Sequence, residues 1–492
     1  MILKFSDMIN DLPFELSDEL RSFSADDVTE IFKAYCFAAK KHKGQKRKSG
    51  QDYIIHPVLV ASYLAKNGFD KDAIIAGLLH DTIEDTKTTP KEIMNKFGPV
   101  VANIAEGVTK ISSIKIRNKA EVFSDDELFL AKVDNYRKIL LASISDLRVI
   151  IIKLYDRLHN IETIEFLPKS KQKFYARETI EIFAPIAERL GMGSLKGKLE
   201  DLAFPYAYPE EYKKFIKIVD SVYKNPHETI EHIIPRVKDI LRKYDIPYLA
   251  ISGRAKHHYS LFKKLEYKKD IALIFDIVAL RIIVKTEEDC YKTLGSIHSI
   301  FKPLPGRIFD YIARPKQSGY QSLHTTTRDE TGNVFEIQIR TDEMHQHAEF
   351  GPAAHWNYKE EGNNKKAAEW LNELKKIDLT QNNHDLINTI KEEFFSNQIF
   401  IYTPKGEIID LPFGSTPLDF AYRIHSDVGD HCKGVKINGQ MKPLDTILET
   451  EDIVQILIDK RAHPRRDWLE IAKTTSAKTK IRNYLKETED YV

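Results

Sequence analysis

Residues 77–86 read GLLHDTIEDT and put one histidine and three carboxylates at positions 80 to 85, closing an apolar stretch. On a helix beginning near Asp72, His80 and Glu84 stand one turn apart, as do Asp81 and Asp85, so the four groups form two adjacent stripes at one end. Acid crowded against imidazole calls for a cation. The segment RVIIIKLYDRLHNIET sets Asp156, Asn160 and Thr163 on one polar line of an otherwise apolar helix. In YIIHP, His56 opens a further apolar helix whose first turn suits Pro57. Two imidazoles and two carboxylates without a thiolate would suit Mn²⁺, Fe²⁺ or Zn²⁺, with positions open to water and phosphate oxygens. Dipeptide by dipeptide, the same acids also read as a solvated helix end, and Asp156 as a structural partner of Arg157.

A second group of reactive residues lies in the later half. SGRAKHHYSLFKK gathers Arg254, Lys256, Lys263 and Lys264, which suits a triphosphate or a solvated face. Asp276 is the one acid in ALIFDIVALRIIVK, where a buried charge is costly unless it meets a metal or pairs with a cation such as Arg281. In VFEIQIRT, strand alternation puts Glu336, Gln338 and Arg340 on one face and Phe335, Ile337 and Ile339 on the other. Between these strands, RIFDYIARPKQSGYQSLHTT supplies Tyr311, Tyr320, His324 and a glycine turn, a mixture suited to stacking a base and gripping phosphates.

The elements that position these groups fall into three parts. From about residue 25 to 240 the apolar spacing is helical; near 270 it turns to β-rich runs with a helix-like EDCYKTLGSIHSIF between them; near 396 short strands and turns begin. A chain of 492 residues exceeds what one core usually supports. The reading is therefore multidomain: an all-α domain over 1–200, central helices and an α/β domain over 201–370, a linker over 371–395, a small β-rich module over 396–460, and a basic helical segment over 461–492. A net charge of +1 gives no global field for nucleic acid, so any such contact must be local. Cys36, Cys290 and Cys432 are far apart and form no CxxC pair, which fits a reducing cytoplasm. No apolar run approaches the roughly 20 residues that span a bilayer, so a soluble, non-membrane protein is expected.

The ordered set His56, His80–Asp81, Asp156 resembles the four ligands of the HD superfamily of metal-dependent phosphohydrolases. The flanks GQKRKSGQDYIIHP, GLLHDTIEDT and KLYDRLHNIET are more specific and resemble the hydrolase domain of the RelA/SpoT (Rel) family, which removes the 3′-pyrophosphate of ppGpp and pppGpp. The resemblance implies Mn²⁺ on the four ligands, Glu84 and Asp85 serving the attacking water, and Arg47, Lys48, Asn160 and Thr163 on the nucleotide. Tyr155 stands where the family usually has a small residue, and Glu188 where it usually has histidine.

The later half is similar to the family's synthetase domain, through GRAKHHYS, DYIARPKQSGYQSLHT, EIQIRT and HQHAEFGPAAHWNYK. This implies transfer of the pyrophosphoryl group of ATP to the 3′-hydroxyl of GDP or GTP. Arg254, Lys256 and Lys264 would hold ATP phosphates. Asp276 and Glu336 would bind Mg²⁺, Glu336 also activating the hydroxyl. Tyr311 would stack on guanine, with Lys316, Ser318, Tyr320, His324 and Gln338 in the acceptor pocket. Phe309 replaces a family lysine and Ser318 a family asparagine, while the retained Arg307 leans toward a bifunctional enzyme with altered rate or GDP/GTP preference.

Residues 396–460 resemble the TGS domain, in which the residue matching His425 lies near the 3′ end of uncharged tRNA on the ribosome. Long family members continue past the position matching Val492, so the sequence reads as a shortened piece or a naturally short member. The expected function is a bifunctional (p)ppGpp synthetase and hydrolase of the stringent response. The alternatives are a hydrolase with weakened synthesis, and a ribosome- or tRNA-binding regulator without turnover.

Overall fold

The computed structural model describes residues 11–112, 146–222, 226–255, 257–268, 278–315, 319–350, 398–449 and 452–489. Two compact units emerge, one of residues 1–308 with 324–380 and one of 309–323 with 381–492.

In the first unit the amino-terminal half is helical. Helices α1 (Ala25–Lys41), α2 (Ile55–Lys66), α3 (Lys71–Asp85), α4 (Pro90–Ser112) and α5 (Leu147–Glu162) enclose a core of aliphatic side chains that includes Val60, Leu64, Ile74, Leu78, Ile104 and Ile150. Their starts are written locally: Ser24, Asp70 and Asp146 each accept a backbone N–H of the helix they precede, satisfying donors that the first turn leaves open. Gly98, with φ of +89°, breaks α4 ahead of Pro99. Gly77 lets α3 approach α2 closely, because a Cβ there would stand 2.7 Å from Leu64.

A helical stretch follows α5 and includes one π-helical turn, Thr179–Phe183, before α6 (Gly193–Ala207). Beyond it lies a five-stranded mixed sheet of order β1-β2-β5-β4-β3, from β1 (Tyr248–Ala255), β2 (Val278–Val284), β3 (Lys302–Asp310), β4 (Leu323–Arg328) and β5 (Val334–Thr341). Strands β1 and β2 run antiparallel and β2 and β5 parallel, with Arg281 opposite Gln338. The helix Pro226–Lys243 packs on β1 and β2, and α7 (His258–Lys268), α8 (Glu287–His298) and α9 (Asp342–Phe350) also belong to this domain.

The second unit contains the small module. Strands β6 (Gln398–Tyr402) and β7 (Ile408–Pro412) pair, as do β8 (Cys432–Ile437), β9 (Gln440–Lys442) and β10 (Val454–Ile458) in the order β10-β8-β9. Their core is Ile399, Ile401, Leu411, Phe420, Val435, Ile437, Leu448 and Val454. Helix α10 (Pro417–Ile424) and the carboxy-terminal α11 (Thr475–Glu489) share a second cluster, in which Leu418 and Tyr422 meet Trp468, Ala477 and Ile481. Buried Asp419 ties these pieces together: it accepts from Thr416 within its own capping box and from the backbone N–H groups of Lys473 and Thr474. The module's packing therefore continues past residue 460.

Candidate functional site

Helix packing in the amino-terminal half brings His56 on α2, His80 and Asp81 on α3 and Asp156 on α5 into one buried pocket. Ligating atoms of His56, His80 and Asp81 lie within 4.8 Å of one another. His56 Nε2 stands 3.1 Å from Asp156 Oδ1 and 3.4 Å from Asp81 Oδ2, and His80 Nε2 stands 3.1 Å from Asp81 Oδ1.

Hydrogen bonds fix which ring nitrogens face the centre. His80 Nδ1 donates to the carbonyl of Gly77 at 2.7 Å, so its buried Nε2 keeps a lone pair that meets no hydrogen-bond donor. The other side of His56 rests on His159, Nδ1 to Nδ1, at 2.6 Å. Burial, then the neighbouring His56, push His159 down to about 3, and burial also lowers His56, so both rings are neutral near pH 7. Neutral imidazoles, carboxylates and an unused buried lone pair are what a divalent cation requires. The donor set fits one.

Further groups surround these four residues. Lys153, buried one turn before Asp156, donates to Asp156 Oδ2 at 2.5 Å, while Asn160 Nδ2 donates to Oδ1. Burial alone would raise the Asp156 carboxyl, but the Lys153 ammonium draws it well below its ordinary value. Tyr53 Oη lies 2.9 Å from Asp81 Oδ2 and 2.7 Å from Asp85 Oδ2. Gln45 Nε2 donates to the Asp85 carbonyl at 3.0 Å, so the loop before α2 holds both the carboxylate and the backbone of that acid. Glu84, half-buried beside it, is raised chiefly by burial.

Arg47 reaches across to α5, donating to Asn160 Oδ1 at 2.8 Å and lying 3.2 Å from His159 Nδ1. Thr163 is the residue that ends α5, and its hydroxyl lies 3.5 Å from the Arg47 guanidinium. Lys48 is exposed on the same turn as Arg47. A cavity of about 370 Å³ opens here, lined among others by Ile54, Ile55, Val58, His159 and Thr163. The two departures from the family pattern are accommodated: Tyr155 packs against Tyr63 and Phe69, and Glu188 pairs with Lys196 at 2.8 Å.

On the sheet, Glu336 Oε1 of β5 stands 2.6 Å from His324 Nδ1 of β4 and accepts from Gln338 Nε2 at 3.3 Å. Alternation along β5 is as expected for Phe335, Ile337 and Ile339, which are buried. Arg340, on the polar face, is closed to solvent. It is bonded to His345 and Glu349, and Glu349 also takes Arg281 at 2.8 Å. Arg254 lies on β1 opposite Ala279, Lys264 on α7, and Arg307 on β3.

In the second unit Tyr311 is 1% exposed, with its ring 6.2 Å from both Phe309, near parallel, and Tyr320, edge-on. Stacking on a base would need this ring uncovered. His425 is exposed between α10 and a short helical turn, its Nδ1 accepting the Asp427 N–H. Lys256, Asp276, Lys316 and Ser318 lie outside the described residues.

Sequence reasoning singled out the four residues that converge here but not Tyr53, Gln45 or Lys153, which bond to them or to their neighbour Asp85. Lys153 precedes Asp156 by three residues, one turn of α5, which is the signal that could have found it; Tyr53 lies in the loop before α2, where no helical spacing marks it.

The pocket and its helices are those of an HD-type domain, followed by a mixed-sheet domain and a β-rich module. Family models match in the same order: "HD domain" over residues 34–193, "Region found in RelA / SpoT proteins" over 253–363, and "TGS domain" over 399–458. The chain is 45% identical over 96% of its length, and 67% of the relative's, to a guanosine-3′,5′-bis(diphosphate) 3′-pyrophosphohydrolase of Aquifex aeolicus. It is 41% identical to a GTP pyrophosphokinase of Myxococcus xanthus, over 94% of this chain and 61% of that one. To the bifunctional (p)ppGpp synthase/hydrolase SpoT of Escherichia coli it is 40% identical, over 94% and 65%. The chain belongs to the RelA/SpoT family. It spans 60 to 67% of the length of such relatives.

Proposed function

We propose that the protein is a bifunctional alarmone enzyme: one domain hydrolyses (p)ppGpp to GDP or GTP and pyrophosphate, and another transfers the pyrophosphoryl group of ATP to the 3′-hydroxyl of GDP or GTP. The observation that carries the reading is the convergence of His56, His80 and Asp81, with an unused buried lone pair on His80, in a chain whose sheet domain also sets Glu336 beside His324.

In the hydrolase, His56, His80, Asp81 and Asp156 hold Mn²⁺, which supplies Lewis acidity toward the pyrophosphate and the attacking water. Glu84 and Asp85 orient that water and take up its proton. Arg47, Lys48, Asn160 and Thr163 bind the nucleotide, a role supported by the contacts of Arg47 with Asn160 and with the cavity-lining His159 and Thr163. In the synthetase, Arg254, Lys256 and Lys264 hold the ATP phosphates, and Asp276 and Glu336 hold Mg²⁺. Glu336 also draws the proton from the 3′-hydroxyl. Tyr311 carries the guanine, with Arg307, Lys316, Ser318, Tyr320, His324 and Gln338 around the acceptor. Catalysis there is mainly positioning and electrostatics. Uncharged tRNA and the ribosome are the partners proposed for the TGS module, through His425, and the cytoplasm is the proposed location.

The test is a nucleotide-resolved assay: ATP and GDP with Mg²⁺, and separately ppGpp with Mn²⁺. Formation of ppGpp in the first and release of pyrophosphate in the second are expected. Absence of the second would remove the hydrolase assignment.

A second reading, hydrolysis with weak synthesis, draws support from the buried Tyr311 ring and the Phe309 ring beside it. On that reading Phe309→Lys raises kcat/KM for transfer by about tenfold, through the added charge and the uncovered ring. An unchanged value would free Phe309 of blame.

A further inference from the structure

Helix α6 carries a notch and an acid one turn apart, Gly197 and Asp201, and both meet His257, the residue just ahead of α7. The imidazole fills the notch so closely that a Cβ on Gly197 would stand 2.1 Å from its Nε2. Its Nδ1 donates to Asp201 Oδ2 at 2.7 Å, which fixes the proton on that nitrogen because a carboxylate only accepts. The other oxygen, Asp201 Oδ1, accepts the backbone N–H of Tyr259 at 3.0 Å, in the first turn of α7. Glu200 adds a longer contact, accepting from Ser260 Oγ at 3.4 Å.

Position gives this socket its meaning. His257 lies between Arg254 and Lys256 on one side and Lys264 on the other, the three cations assigned to ATP phosphates. Both oxygens of Asp201 are taken by donors of the very segment that carries the cations. The acid therefore acts on the segment and not on the ligand. A turn held at two adjacent points by a neighbouring helix keeps its flanking cations in register, whereas a displacement of about 1 Å at a phosphate clamp costs up to about a hundredfold.

We propose that Asp201, together with Gly197 through the His257 ring, is a positioning residue for ATP, fixing the Arg254–Lys264 segment. The inference rests on the transferase reading above. It also makes α6, whose Lys196 pairs with Glu188, a part of the synthetase site by function although it precedes the sheet in sequence.

The experiment uses the full chain as Asp201→Ala, Asp201→Asn, Gly197→Ala, His257→Ala and the double variant Gly197→Ala/His257→Ala. Three quantities are read: the Kd of a non-hydrolysable ATP analogue with Mg²⁺ by calorimetry, the steady-state constants for ppGpp formation, and ppGpp hydrolysis with Mn²⁺ as a reporter of folding. Kd and KM for ATP should rise about tenfold or more in Asp201→Ala and Gly197→Ala and about threefold in Asp201→Asn, while kcat stays within about threefold. The KM for GDP and the hydrolysis rate should stay within about twofold. Adding Gly197→Ala to His257→Ala should cost nothing further, since the clash travels through the ring.

An ATP Kd within about twofold of wild type in Asp201→Ala, a parallel rise in KM for both nucleotides, or additive losses in the double variant would each overturn the proposal. If Asp201→Ala loses hydrolysis as well, the isosteric Asp201→Asn decides. A wild-type chain that binds the analogue yet makes no ppGpp defeats the transferase reading while the binding series still judges the socket. A wild-type chain that does not bind the analogue defeats both.

Discussion

The helical site and the sheet site balance their charges by different means. In the first, carboxylates from α3 and α5 meet the neutral His56 ring and a buried ammonium, Lys153, which draws on Asp156 at 2.5 Å. Its members come from three helices across a hundred residues of sequence, and apolar packing between those helices sets their geometry. In the second, Glu336 is met by His324 from a neighbouring strand, and strand register does the positioning. A site assembled by core packing is built before its ligand arrives. A site whose proposed cations sit on separate elements, Arg254 on β1, Lys264 on α7 and Arg307 on β3, depends on what holds those elements together.

The sharpest way to break the comparison is to remove one ligand from each site. Asp81→Ala should lower ppGpp hydrolysis by about a thousandfold or more and leave ppGpp formation within about twofold; Glu336→Gln should do the reverse. Product formation resolved by chromatography reads both. Loss of both activities in either variant would mean that the two sites are not separable. Next in size is Arg47→Ala. Its guanidinium joins His159, which lines the cavity, and Asn160, so KM for ppGpp should rise about ten- to a hundredfold with transfer unaffected. A fall in kcat at constant KM would place Arg47 in the chemistry instead.

Tyr53→Phe sharpens the contrast further. One hydroxyl proton lies between Asp81 and Asp85, and the second of these also has its carbonyl held by Gln45. Removing the hydroxyl leaves the proposed metal ligands in place and loosens Asp85, the acid proposed to serve the water. The expected result is about a tenfold lower kcat for hydrolysis with metal affinity within about threefold, measured by Mn²⁺ titration. A large loss of affinity would show that Tyr53 serves Asp81.

The sequence was legible where period and chemistry coincide. His80 and Asp81 with Glu84 and Asp85, and Asp156 with Asn160 and Thr163, are spaced by helical turns, and a polar line on an apolar helix betrays a site. The strand alternation of β5 was equally plain for its apolar face. What stayed hidden depends on tertiary partners. Lys153 reads as a surface lysine until α5 is seen buried on nearly all sides, and Arg340 reads as a polar-face residue until Glu349 of α9 reaches it. Tyr311 looks like an open stacking platform but is enclosed. The tie between the β-rich module and the segment after it was likewise invisible, because Asp419 collects its donors from residues more than fifty positions later.

The smallest expected effect concerns Glu200, which belongs to α6 and to neither set of reacting groups. Burial raises its carboxyl to about 7, against the opposing pull of Lys196. A carboxyl whose folded value lies above its unfolded one, about 4.5, stabilises the fold most below the unfolded value and loses that contribution as pH rises through the folded value. Wild type should therefore give up of order 2 kcal/mol between pH 4.5 and pH 8 that Glu200→Gln does not. Lys196 remains paired with Glu188 in the variant, so no buried ammonium is stranded. Thermal melts should show the Gln variant equal to wild type near pH 5 and higher in Tm by about 2 to 6 °C at pH 8, with hydrolysis unchanged. A difference independent of pH would mean that the carboxylate is already compensated in the fold, and that α6 bears its charges at no cost.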